Sequence, residues 1–166
     1  MEKATKIQEG AVGDREVVVT RVVHAPRERV WKAFATAEAL AHWWGPNGFT
    51  ITTSAFEFRE GGMWVFIMHG PDGRDYPNWI RFTRIVEPER MEHDHGGDDD
   101  RVVFQANITL DDLGGSTRVT LHSTFTSREE RDLVVKEYRA IEGGKQTLAR
   151  LDEYLGMKEN APKHFK

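Results

Sequence analysis

The chain has 166 residues, 39% hydrophobic and 30% charged, with a formal net charge of −4 and acidic and basic residues interspersed. That balance fits one globular domain with a sizeable core and gives no support for sequence-blind binding to nucleic acid or to an anionic membrane. The absence of cysteine excludes disulfides, thiolate metal sites and cysteine nucleophiles, and with no apolar leader and no run near the roughly 20 apolar residues of a membrane span, the expected location is cytoplasmic.

Residues 1–14 are polar and read as a flexible arm. The valine-rich stretch Glu16 to His24 reads as a first strand, stopped by Pro26, which suits the first turn of a helix. Val30, Trp31 and Phe34 give that helix an apolar side. Thr36 is an N-cap candidate for a second short helix carrying Leu40, Trp43 and Trp44, ended by Gly45-Pro46-Asn47-Gly48.

From Phe49 to Phe125 the hydrophobic period becomes two. Alternating segments at residues 51–59, 63–69, 76–86, 90–95, 101–110 and 118–125 are separated by turn sequences such as Glu60-Gly61-Gly62 and Gly70-Pro71-Asp72-Gly73. With the first strand they make a seven-stranded antiparallel sheet. Ser127 and Glu130 have capping-box spacing, and a helix is expected from there to Leu155, bent or broken at Gly143-Gly144 unless close approach to the sheet compensates. Its stripe is Ile141, Gly144, Leu148, Leu151 and Leu155. Residues 15–157 are thus read as one domain and 158–166 as a tail.

Several local sequences carry a resemblance. His24-Ala25-Pro26 leading to Val30-Trp31-Lys32-Ala33-Phe34, then Leu40-Ala41-His42-Trp43-Trp44-Gly45-Pro46, Ile85-Val86-Glu87-Pro88-Glu89-Arg90 and Gly143-Gly144 are similar to bacterial homologues of the C-terminal domain of the heat-shock-protein-90 ATPase activator. The similarity covers roughly residues 16 to 157. It departs from the family at Lys145, where an aromatic residue usually follows the glycine. The resemblance implies an α+β helix-grip fold shared with lipid-transfer START domains, polyketide cyclases and the birch pollen allergen. In that fold a curved sheet wraps around a long C-terminal helix, with two short helices after the first strand. It does not imply one activity.

A helix-grip fold implies a cavity between sheet and helix, and such pockets are mostly apolar with few polar groups. Expected walls are Trp64, Phe66 and Met68 on one strand, Tyr76, Asn78, Ile80 and Phe82 on the next, and Phe104 and Ala106 further on. Gly144 and Leu148 would face them from the helix, and Trp43 and Trp44, about 100° apart on theirs, would divide between core and rim. Each aromatic has core packing as its bland alternative.

Two polar groupings compete with that reading. His93 and His95 flank Asp94 on one strand, a spacing that two metal ligands could use, but no motif supplies a third beyond an arbitrary His69 or His122. No metal or other cofactor is therefore expected. His69, Asp75, Asn78 and Arg81 lie on neighbouring strands and could meet as an acid–base set. The expected function is binding of a small hydrophobic ligand by a non-enzymatic or weakly enzymatic protein. Chaperone-ATPase co-regulation, implied by the family name, and a cyclase- or hydrolase-type enzyme are the alternatives. An open sheet edge makes a homodimer an expected partner arrangement.

Overall fold

Short turns between alternating segments dictate a meander, and the computed structural model, which describes residues 9–160 with side chains through Met157, shows one. Strands β1 (Gly10–Val12) and β2 (Glu16–Val23) precede helices α1 (Arg27–Phe34) and α2 (Ala37–Trp43). Then come β3 (Thr50–Phe56), β4 (Met63–His69), β5 (Asp75–Val86), β6 (Arg90–Gly96), β7 (Val102–Asp112) and β8 (Thr117–Phe125). Helices α3 (Arg128–Glu137) and α4 (Ala140–Asn160) follow. Every pairing is antiparallel, and the sheet order is β1-β2-β8-β7-β6-β5-β4-β3.

Register decides which side chains meet, because directly paired positions share a face. One row across the sheet runs Trp64, Ile80, His95, Phe104, Phe125. The next runs Phe82, His93, Ala106, Ser123, Val17. Both belong to the concave face. Register shifts at Thr53/Ala55, Phe82/Arg84 and His95/Gly96 mark bulges, which sharpen the bend of the strands that carry them.

The helices cover this concavity unequally. Helix α4 lies along β2, α1 crosses β7 and α2 stands beside β3. Leu148, Leu151 and Leu155 of α4 are buried, as are Val30, Trp31 and Phe34 of α1 and Leu40 and Trp43 of α2. The caps are those the sequence suggested: Thr36 Oγ1 accepts from the Ala39 N–H at 3.1 Å, and Ser127 Oγ accepts from the Glu130 N–H at 3.0 Å.

Two features depart from the sequence reading. The sheet has eight strands rather than seven, because Gly10–Val12, inside the segment read as an arm, pairs with Val18–Glu16. Buried Arg131 of α3 holds the adjoining turn, donating to the carbonyls of Val12, Gly13 and Glu16 at 3.2, 3.3 and 2.7 Å. Residues 1–8 of that arm and 161–166 of the tail lie outside the described residues.

The second departure is the helix break, which falls at Tyr138-Arg139, where Arg139 has φ +52°, and not at the glycines. Gly143 and Gly144 are inside α4 because the turn after α2 and strand β2, respectively, approach the helix there. A Cβ on Gly144 would lie 3.0 Å from Val19 Cγ2, and one on Gly143 would lie 3.3 Å from Pro46 Cγ. The missing side chains let helix and strand approach, and that packing offsets their poor helix propensity.

This seating is testable. Gly144→Val puts a branched side chain where the stiff, buried Val19 already stands, and overpacking of this kind is expected to cost about 2–3 kcal/mol in urea unfolding. A variant within about 0.5 kcal/mol of the parent, inside the range of ordinary surface changes, would show that α4 does not rest on Val19.

Candidate ligand site on the concave face

Aromatic residues line the concavity from β3 to β7. Trp64 stacks on Phe66 at 3.9 Å between centroids, while Phe58 meets Phe82 edge-on at 5.1 Å. Trp44 sits edge-on to Trp43 at 5.5 Å and to Trp64 at 5.2 Å. The gap expected between sheet and helices is nearly filled by these groups. What remains is a hollow of about 10 Å³ lined by Phe34, Leu40, Trp44, Trp64, Ile80, Phe82, Met91, His93 and Ile108. That is room for roughly one water molecule.

The residues expected to form the site are distributed unevenly around this hollow. Trp44, Trp64, Ile80 and Phe82 line it. Phe66 is buried beneath Trp64, and Ala106 lies deep in the neighbouring row. Trp43 belongs to the core, fully buried with its indole N–H donating to the Ala33 carbonyl at 3.0 Å. Leu148 is likewise core, and Gly144 is the seat of α4 on Val19. Met68, Tyr76, Asn78 and Phe104 are half-buried, as are His95 and Leu121. Inward-facing residues that keep solvent contact show that the helices cover this end of the sheet incompletely. Tyr76 reaches its rim, with its ring 6.0 Å from that of Phe49.

Among the polar groups of this interior are two imidazoles, which the sequence reading had weighed only as metal ligands. Both point to the concave side, with ring centroids 5.9 Å apart. Asp94 between them faces the other way, to the Arg81 guanidinium at 2.6 Å and to the Gln105 amide at 3.2 Å. His95 stacks on Phe104 at 4.5 Å. The Asn78 Nδ2 group donates to the Tyr76 carbonyl at 2.9 Å, so its Oδ1 accepts from the His95 Nε2–H at 2.7 Å. That bond fixes the tautomer and leaves the lone pair on Nδ1 of His95.

His93 is 3% exposed, and its Nδ1 is buried with no hydrogen-bond partner among the described residues. Burial disfavours the charged ring, pushing its pKa down to about 4 against the backbone hydrogen bond and the negative charge that Asp94 supplies, both of which raise it. The same desolvation, reinforced by His93, pushes His95 down to about 3. Both rings are neutral at pH 7. The arrangement offers uncharged hydrogen-bonding atoms inside an aromatic wall.

The other groupings separate. His69 pairs with Asp75 at 2.7 Å and with the Thr52 hydroxyl at 2.8 Å on the outer face, away from Asn78, while Arg81 pairs with Asp94. The four residues considered as an acid–base set therefore do not converge, because strand alternation sends Asn78 inward and the other three outward. His122, also on the outer face, pairs with Glu16 at 2.8 Å. Among the described residues no cluster of three or more His, Asp or Glu side chains is placed to hold a metal ion. A larger outer groove of about 270 Å³ runs past Glu92, Asp94, Gln105 and His122, which are engaged in ion pairs or hydrogen bonds, and past His93 and Asn107, whose buried Oδ1 has no partner among the described residues.

The fold and sequence have clear relatives. The family model described as activator of Hsp90 ATPase homolog 1-like protein matches residues 24–156. A solution structure of a protein from Arthrobacter aurescens is 30% identical, with a TM-score of 0.79 over 90% of this chain and 91% of that one. A crystal structure of a protein from Mycobacterium smegmatis is 26% identical, with a TM-score of 0.82 over 93% and 98%. The AHSA1 protein of Silicibacter pomeroyi, 20% identical with a TM-score of 0.71 over 86% and 99%, shares the fold. No curated protein matches the chain. Among the described residues no helix is long and apolar enough to cross a membrane.

The two inward imidazoles, His93 buried and His95 half-buried, make stability pH-dependent in a definite direction. Their folded pKa values lie below the roughly 6.5 of an unfolded chain, so on acidification the unfolded state takes up protons first. Stability is intact above about pH 6.5, is lost as pH falls toward 4 and then 3, and levels off below, with a slope of up to about 1.4 kcal/mol per pH unit for each ring. His93→Leu removes the unpaired nitrogen. Urea unfolding is expected to show it about 1 kcal/mol more stable than the parent at pH 7, with a shallower acid slope. A destabilised leucine variant would mean that the nitrogen already has a partner.

Proposed function

We propose that this chain, which belongs to the family of activator of Hsp90 ATPase homolog 1-like proteins, binds a small, mainly apolar ligand with a polar end between the concave sheet face and the helices. The observation that carries this reading is the unpaired Nδ1 of His93 in an aromatic wall. A buried polar atom without a partner costs about 1–3 kcal/mol, and an apolar side chain of similar size would avoid that cost. Departures of this kind from what stability alone favours are characteristic of functional sites. Of the residues lining the hollow, Trp44 alone is not fully buried, so the approach from solvent is by way of its indole.

Size limits the ligand. A hollow of about 10 Å³ admits a guest only if a side chain gives way, and Trp44 is half-buried whereas Trp64, Phe34 and Phe82 are almost wholly enclosed. One displaced indole makes room for one or two fused rings; a sterol or long acyl chain needs more. The family description also raises chaperone co-regulation, which has kinship of fold as its support, and activity belongs to sites rather than folds.

Thermal shift and tryptophan emission with naphthol, palmitate and cholesterol test the reading. Naphthol is expected to quench emission saturably and, at about 100 times its Kd, to stabilise the protein by roughly 2.7 kcal/mol. The two lipids are expected to do neither. Saturable binding by the lipids would overturn the size limit, and no saturable change with any probe would count against ligand binding in this interior.

A further inference from the structure

We infer that the ligand is a neutral aromatic hydroxyl compound, taking the place now held by the Trp44 indole and hydrogen-bonding through its hydroxyl to Nδ1 of His93. This rests on the binding proposal above and specifies what the same site selects.

The indole of Trp44 is the movable part of the wall. Trp43, Trp64 and Trp79 are each pinned by an indole N–H bond, to the Ala33 carbonyl, the Thr53 hydroxyl and the Asp99 carbonyl. The Trp44 indole makes no such bond among the described residues; it packs against the core with two edge-on ring contacts, to Trp43 and Trp64. Its backbone is fixed nevertheless. The Trp44 N–H caps α2 at the Leu40 carbonyl, and the Arg150 guanidinium holds the carbonyls of Gly45 and Pro46 at 2.8 and 2.9 Å. The ring can therefore turn about its side-chain torsions while the turn that carries it stays in place.

What replaces the ring must suit the groups left behind. Trp44 and His93 line the same hollow, so a flat guest of indole size would lie against Trp64 and Phe82 with one edge toward the imidazole. A hydroxyl can both donate and accept, which lets it pair with Nδ1 in either tautomer of the neutral ring. A trapped water is the competing partner. It needs two to four polar contacts to be held; the lining offers His93 and the Trp44 indole N–H, and a guest that displaces the indole removes the second of these. An ionised guest is disfavoured because no opposite charge lines the hollow.

Calorimetric titration of the full chain with naphthol, methylnaphthalene and naphthoate tests the inference, since methyl and hydroxyl are close in size. Naphthol is expected to bind about tenfold tighter than methylnaphthalene, the worth of one buried hydrogen bond. In His93→Leu that preference is expected to disappear. In Trp44→Ala both neutral probes are expected to tighten by about tenfold, because the space no longer has to be vacated. Trp44→Leu serves if the alanine variant fails to fold, and the nitrogen chemical shift of His93 Nδ1 in the unsubstituted protein reports the bond without any variant. Equal binding of naphthol and methylnaphthalene, or a preference that survives in His93→Leu, overturns the inference while ligand binding stands. Naphthoate binding as tightly as naphthol overturns the neutral class. If no probe binds, even after Trp44 is shortened, the binding proposal itself falls.

Discussion

The contact between Gly144 and Val19 sets the geometry of the whole interior. Because α4 has no side chain at that point, it settles against β2, one side of the concavity, instead of spanning its middle. The strands farther along the sheet must then be covered by something else. At one end α1 and α2 supply Phe34, Leu40 and Trp43. At the other the cover thins, and His95, Asn78 and Phe104 keep contact with solvent. An interior closed at one end and loose at the other follows from where one glycine lets the helix lie.

The two faces of β6 carry two kinds of polarity. Outward, Asp94 is paired with Arg81 and Gln105, and the interaction resembles any other cross-strand polar contact. Inward, His93 and His95 are held neutral by the same burial that makes the wall apolar. Their ring nitrogens remain acceptors or weak donors rather than charges. Such a surface favours uncharged, directional partners over ions, because an unpaired charge would be buried with it.

Much of this was legible in the sequence, and the parts that were not have physical reasons. The period-two segments, the Thr36 and Ser127 caps and the Gly–Pro punctuation are local signals, and they place two short helices, a meander and a C-terminal helix in the right order. Strand β1 was missed because three residues carry no periodicity; its pairing depends on β2 and on Arg131 from the other end of the chain. The helix break was expected at Gly143-Gly144 from propensity, but tertiary packing reverses that preference, and the chain turns at Arg139 instead. Strand parity already put His93 and His95 on one face. Their burial was not readable, since it depends on which side of the sheet the helices occupy. The inward and outward fates of Asn78 and Arg81 follow from the same alternation, which a set gathered because its members lie on neighbouring strands overlooked.

Arg150 ties the ends of this description together. Its guanidinium projects from α4 and clasps the carbonyls of Gly45 and Pro46, directly beyond Trp44. The Gln146 carboxamide oxygen adds a second tether, accepting from the Asn47 N–H at 3.0 Å. Junction and helix are thus tied at two points, so the turn that carries the indole cannot shift without α4, and the freedom left at this corner is that of the Trp44 side chain.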